Sequence, residues 1–188
     1  NKIFIHKKKR ECIYCNKSIW GHRTRFRKPE LIIEEIKWLH DKYGVREIFF
    51  QDDTFNLNRK WAERIFNLII DNGLNKDIIY KTPFRADEQL VDKELLELAK
   101  RAGFRYIFYG VESGNQEMLN SMKKGLTIRE IKRAFELTRS VGLKTIASFM
   151  IGLPGETKKT IADTINLWKE LNPDVAGCSF ATPLPGTE

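Results

Sequence analysis

Arg105-Tyr106-Ile107-Phe108-Tyr109-Gly110-Val111-Glu112-Ser113-Gly114 passes from an apolar, aromatic run into a carboxylate and a glycine turn. The run lacks the polar alternation of a half-exposed strand. It reads as a strand covered on both faces, the kind found in parallel sheets. Glu112 closes it. A carboxylate in that place is costly to bury alone, so it belongs where it accepts hydrogen bonds from a hydroxyl or an amine. The plainer reading is a carboxylate at a helix start, held by the helix dipole.

Outward from this stretch the same unit recurs. Downstream, a helix is expected over 127–141, with Thr127 as N-cap, Glu130 completing a capping box, and Gly142 as the stop. A strand over 144–151, a helix over 157–171 and a strand over 175–181 follow. Upstream, Ile78-Ile79-Tyr80 reads as a strand before a helix over 92–102 closed by Gly103, and Ile48-Phe49-Phe50 marks a strand over 46–51 before a helix over 58–71. Pro29 opens a helix over 30–43 that carries Leu31, Ile32, Ile36 and Leu39 on one face and stops at Gly44. Ile3-Phe4-Ile5 reads as a short first strand, which makes six.

Alternating strands and helices with buried-type strands imply a parallel sheet with right-handed crossovers. Two architectures share that pattern, a doubly wound open sheet and a (βα) barrel or part of one, and both place ligands at the C-terminal ends of the strands. The unusual residues fall there: Gln51-Asp52-Asp53, Arg85-Ala86-Asp87, Glu112-Ser113-Gly114 and Gly152-Leu153-Pro154-Gly155. Four such loops on one rim argue for a site.

The 188 residues fit one domain, and 41% hydrophobic with 31% charged residues is a globular composition. No apolar run approaches the ~18–20 residues of a membrane helix. The basic start, residues 1–10, lacks the apolar region and cleavage site of a secretory signal. Residues 1–30 hold ten Lys or Arg against two acids, a surplus equal to the whole net charge of +8. Arg23-Thr24-Arg25-Phe26-Arg27-Lys28 is suited to phosphates or nucleic acid, although a solvated basic loop is the favoured reading. Of the three cysteines, Cys178 sits in an apolar strand-like run and is expected to be a buried small hydrophobe. Cys12-Ile13-Tyr14-Cys15 lies in a basic stretch that favours thiolates, and a CxxC serves zinc, an iron–sulfur cluster or a redox pair. His6 and His22 flank it at spacings of no common zinc module. Spacing alone leaves a merely structural CxxC open.

Taken together, these motifs resemble the core of the radical S-adenosylmethionine (SAM) superfamily, over nearly the whole chain. Cys12-Ile13-Tyr14-Cys15 resembles the end of that family's CxxxCxxC loop, with Tyr14 in the aromatic place. The position of the first cysteine is Lys8, in a stretch unlike the family's loop. Three readings stand: foreign or frame-shifted sequence over residues 1–11, a degenerate cluster-free relative, or a substitute ligand such as His6. The first is favoured, because the pattern downstream is kept. Phe49-Phe50-Gln51-Asp52-Asp53-Thr54-Phe55 resembles the second-strand motif of the subgroup often joined to a cobalamin-binding domain, where Asp53 would meet the amino group of SAM. By the same resemblance Arg85 would meet the SAM carboxylate with its guanidinium fork, and Glu112, with Ser113 alongside, would hold the ribose. Lys124 would meet the carboxylate, Ser148 the ribose, and Gly152, in the fifth-strand motif, would let backbone approach adenine. Pro183-Leu184-Pro185-Gly186-Thr187 resembles the segment near which some relatives bind substrate.

The pattern and the resemblance together give an α/β fold, a partial (βα)6 TIM-like barrel of parallel strands with outer helices. Residues 1–188 would be the core barrel of a longer chain, with a cobalamin-binding domain before it and an extension after it. The resemblance implies a [4Fe–4S] cluster ligated by Cys12 and Cys15, SAM, and its cleavage to a 5′-deoxyadenosyl radical that abstracts hydrogen or serves methyl transfer. Cobalamin would be bound through the missing domain. The substrate would be a small or lipid-like molecule, the electron donor a flavodoxin or ferredoxin, and the location the cytoplasm. The rival readings are a cluster-free barrel that binds a nucleotide-like ligand or a partner, an RNA-modifying member of the family, and a zinc-bound structural protein.

Overall fold

A computed structural model of the chain describes residues 12–15, 21, 24–183, 185 and 187. The expected strand Ile3-Phe4-Ile5, Lys8, His6 and His22 lie outside these residues. Five strands, β1 (Glu47–Phe49), β2 (Ile79–Phe84), β3 (Phe104–Glu112), β4 (Lys144–Ile151) and β5 (Val175–Phe180), form one sheet in which every neighbouring pair is parallel. Helices α1 (Pro29–Tyr43), α2 (Arg59–Asp71), α3 (Lys93–Arg101), α4 (Gln116–Ser121), α5 (Ile128–Ser140) and α6 (Lys158–Leu171) alternate with them.

The strand order β1-β2-β3-β4-β5 follows the chain. A doubly wound sheet reverses its order at a switch point, whereas an order that only advances keeps right-handed crossovers on one side and curls the sheet. The fold is accordingly a half-barrel with its helices outside, as the partial-barrel expectation had it.

Four helices start at side-chain caps, of which Thr127 is the expected one. Side chains of Asn58, Asp92, Thr127 and Thr157 accept from backbone N–H groups of α2, α3, α5 and α6, and Thr127 with Glu130 forms the expected capping box. Two short elements have no counterpart in the sequence reading, a 3₁₀ turn at Phe55–Leu57 and the six-residue α4. Neither is long enough to show an apolar period.

The core lies between the outer face of the sheet and the helices. Phe104 is its hub, with ring centroids 4.9 Å from Phe66, 5.2 Å from Tyr80 and 5.8 Å from Phe50. Phe149 of β4 stacks on Trp168 of α6 at 5.2 Å. The opposite, concave face carries a different set. Lys81, Tyr106 and Lys144 stand in register across β2, β3 and β4, with the two ammonium groups 5.3 and 5.6 Å from the Tyr106 ring and Lys81 also paired with Glu47. Nearer the C-terminal rim, Gly110, Ser148 and Gly177 stand side by side. Cys178 corrects its expectation: it is exposed, because β5 is paired only with β4 among the described residues and little covers it.

β2 runs past its expected end, through Lys81-Thr82-Pro83. Proline inside a sheet lacks a ladder donor. Here Ile79 N–H donates to Arg46 O, and Lys81 O accepts from Phe50 N–H, so alternate residues of β2 face β1. Pro83 faces that same side, beyond the last residue of β1, where no N–H is needed.

Candidate functional site

The site forms where β2 and β3 end. The last residues of β3 contain a bulge, with Gly110 opposite Ser148 and Glu112 opposite Phe149. Bulges re-aim side chains. Glu112 has φ 67, the left-handed region, and its carboxylate swings back over Gly110. There Oε1 meets Nζ of Lys124 at 2.8 Å, with both residues buried. A buried charge needs a partner, and removing one member of such a pair costs about 3–5 kcal/mol.

Lys124 comes from the turn after α4. Its ammonium also donates to the hydroxyl of Tyr14 at 3.2 Å. Tyr14 belongs to the cysteine turn, in which Cys15 N–H donates to Cys12 O at 3.0 Å. Arg85 follows β2 directly. Its Nε donates to Asp87, at 2.7 Å, and one Nη donates to the carbonyl of Lys124 at 3.0 Å. One chain of contacts therefore joins Tyr14, Lys124, Glu112 and Arg85, residues drawn from two strand ends, the turn after α4 and the cysteine turn.

The thiols titrate apart. A hydrogen bond from Cys15 stabilises the Cys12 thiolate, and Lys124, Tyr14 and Arg85 add to that against the penalty of burial, so Cys12 is drawn down to about 6. Cys15 is pushed up by the same bond and by burial. Burial first, then the charge of Glu112, raises Tyr14. Asp52 is raised by burial and by Asp53, whose charge also reaches Cys15.

The expected residues do not all gather. Cys12, Cys15, Tyr14, Asp53, Arg85, Glu112 and Lys124 share the rim over β1 to β3. Ser113 does not; its hydroxyl is wholly buried against α6, 3.3 Å from Thr164 Oγ1, and it accepts from Asn115 N–H. Gly114 explains this turn of the chain, because a Cβ there would stand 2.4 Å from Asp163 O on α6. Ser148 lies half-buried on the concave face beside Gly110, and Gly152, with φ 85, donates its N–H to Glu156 in the next rim loop. Of the segment 183–187, Leu184 and Gly186 lie outside the described residues.

Sequence reasoning missed Asn56. It is fully buried, accepts from Arg85 N–H at 2.9 Å and donates to Arg85 O and Leu90 O at 3.1 Å each. It fixes the backbone that presents Arg85. Only its place just after Asp52-Asp53-Thr54-Phe55 hinted at a role.

The residues present suit the family's two cofactors. Two thiols on one turn, with cations beside them, suit two ligands of an iron–sulfur cluster. A third ligand is not supplied among the described residues, where no group of three His, Cys, Asp or Glu side chains can hold a metal. The concave space over Gly110 is where a nucleoside ligand would reach Glu112, and a Cβ on Gly110 would stand 2.6 Å from its Oε1.

Comparison with known proteins agrees. Residues 9–167 match the model of the radical SAM superfamily, and the chain belongs to that family. Radical SAM enzymes use a [4Fe–4S] cluster and SAM. An uncharacterized methyltransferase of Pyrococcus horikoshii is 36% identical over 94% of this chain, which covers 38% of that relative. The anaerobic magnesium-protoporphyrin IX monomethyl ester cyclase of Cereibacter sphaeroides is 31% identical over 94% of the chain, which covers 29% of it. The chain therefore spans well under half the length of these relatives. The solved structure of the radical SAM methyltransferase TsrM from Kitasatospora setae, with cobalamin and a [4Fe–4S] cluster bound, superposes with a TM-score of 0.85 at 23% identity, covering 94% of this chain and 36% of TsrM.

Proposed function

We propose that Cys12 and Cys15 supply two thiolates to a [4Fe–4S] cluster and that SAM binds across the same rim. Arg85 and Lys124 would meet its carboxylate, Asp53 its amino group, and Glu112 its ribose hydroxyls. The observation that carries this is the convergence of the cysteine turn, Arg85, Glu112 and Lys124 in one chain of contacts. When bound, the two cofactors supply a one-electron cleavage of SAM that yields an adenosyl radical.

The chain's own residues bind and orient. Glu112, buried and already ionically paired, is an acceptor with no rearrangement left to make. Tyr14, held protonated by burial, offers a hydroxyl rather than a second negative charge beside Glu112. Gly110, Ser148 and Gly177 leave the concave wall low where a nucleoside would lie, and Gly152 allows backbone to approach it.

The relatives support methyl transfer or ring formation on a small or lipid-like molecule. Cobalamin would be held by a domain outside these 188 residues. A reduced flavodoxin or ferredoxin is the proposed electron donor, and the cytoplasm the setting, where thiols stay reduced. No helix of the described residues is long and apolar enough to cross a membrane.

Anaerobic reconstitution with iron and sulfide tests the reading. It predicts about four irons per chain and, after reduction, an EPR signal that changes when SAM is added. Lys8, at the place of the missing cysteine, favours a second reading, a cluster-free barrel that binds a nucleotide-like ligand. Folded protein that takes up no iron yet binds S-adenosylhomocysteine would overturn the cluster in this chain and leave either that reading or foreign sequence over residues 1–11.

A further inference from the structure

We propose that the loop Met122-Lys123-Lys124 is a pre-built seat for the cysteine turn, and that Lys124 is the positioning residue that makes the turn's place depend on Glu112. The inference rests on the reading above only in taking the turn as the cluster loop.

The turn closes on itself through Cys15 N–H to Cys12 O and a hydrogen bond between the two thiols. Three contacts tie it to successive residues of one loop. Ile13 N–H donates to Met122 O at 3.2 Å, Cys12 Sγ lies 3.9 Å from Lys123 O, and Lys124 Nζ donates to Tyr14 OH at 3.2 Å. The carbonyls just past a helix end need partners, and here the cysteine turn and Arg85 supply them.

The seat is rigid. Lys123 N–H donates to Asn120 O and Lys124 N–H to Leu119 O, each at 3.0 Å. Lys123 holds φ 56, a left-handed conformation that a non-glycine residue keeps only when its surroundings impose it. Arg85 clamps Lys124 O from β2, and Glu112 clamps its ammonium from β3. Glu112 is thereby linked through Lys124 to a turn about a hundred residues earlier in the chain.

These protein contacts set the spacing of Cys12 and Cys15 before iron arrives. Any ligand that draws on Glu112 also acts on the turn, and the turn acts on that ligand to the same degree.

The test is amide hydrogen exchange at residues 12–15 in the full chain, kept cluster-free with chelator. Lys124→Met should speed exchange at Ile13 about fivefold or more, the ratio one lost hydrogen bond gives, and Lys124→Arg should restore most of it. Glu112→Gln should also speed exchange there. The double variant K124M/E112Q, which leaves no unpaired buried charge, should exchange no faster than K124M alone, the non-additivity of a shared path. Unchanged exchange at residues 12–15 in K124M and in the double variant would overturn the seat. Full additivity, or no effect of E112Q, would overturn the coupling through Lys124. Iron uptake by the wild-type chain judges the cofactor reading separately, since no exchange measurement depends on it.

Discussion

A methyl group on Gly110 would stand 2.6 Å from Oε1 of Glu112 and 3.0 Å from Nζ of Lys124. Gly110→Ala should therefore push the carboxylate off its partner. We expect a loss of ~1–3 kcal/mol in stability, the usual cost of overpacking, with a larger loss in SAM affinity than the stability change alone implies; urea unfolding and a SAM titration on the same preparation would separate the two. Cys12 gives a pH signature. In cluster-free protein its thiolate grows as pH rises through about 6, so iodoacetamide labelling at Cys12 should climb there and level off, while Cys15, shifted the other way, labels only at much higher pH. Peptide mass spectra across a pH series read both. Several residues that gather at the candidate site drew notice in the sequence because their chemistry is odd in place: Glu112 ends an apolar strand, and Cys12 and Cys15 sit among cations. Ser113 misled because a serine after that glutamate carries no sign of which way it turns. Its direction is set by Thr164, and no local pattern shows that the loop will lean on α6.

Elements were readable wherever local chemistry decides. Thr127 caps its helix as expected, and Asn58, Asp92 and Thr157, read as the starts of three others, prove to be their N-caps. α4 was not readable, although Asn115 caps it by accepting from Met118 N–H at 3.1 Å; six residues give too little period to register. Asn56 acts between elements, gripping the backbone 29 residues away at Arg85. Asn56→Ala leaves that buried backbone unpaired. A loss of about 1–3 kcal/mol is expected, with weakened SAM binding because Arg85 loses its placement; circular dichroism melts together with SAM titration check it. The variant N56D should fare little better, since it keeps the acceptor for Arg85 N–H but loses the donor to both carbonyls.

Across the whole molecule, alternation of strands and helices implied a parallel sheet, but pattern alone did not choose between a barrel and a doubly wound sheet. The order of strands is a property of long-range pairing, and the resemblance, not periodicity, supplied it in advance. Stability at this scale rests on the aromatic hub. Phe104→Ala should lower the unfolding free energy by ~3–5 kcal/mol and shift the denaturant midpoint without changing the spectrum of any cluster bound at the rim, since Phe104 begins the strand that Glu112 ends. Pro83 has an effect of another kind. It presents β2 with one hydrogen missing on the side that β1 has left, so the strand ladder stops at Lys81. Past that point the flank of β2 is held by a side chain instead of a strand, Asn56 reaching the backbone of Arg85, so the rim is finished by groups that a substitution can change where a ladder would have fixed it.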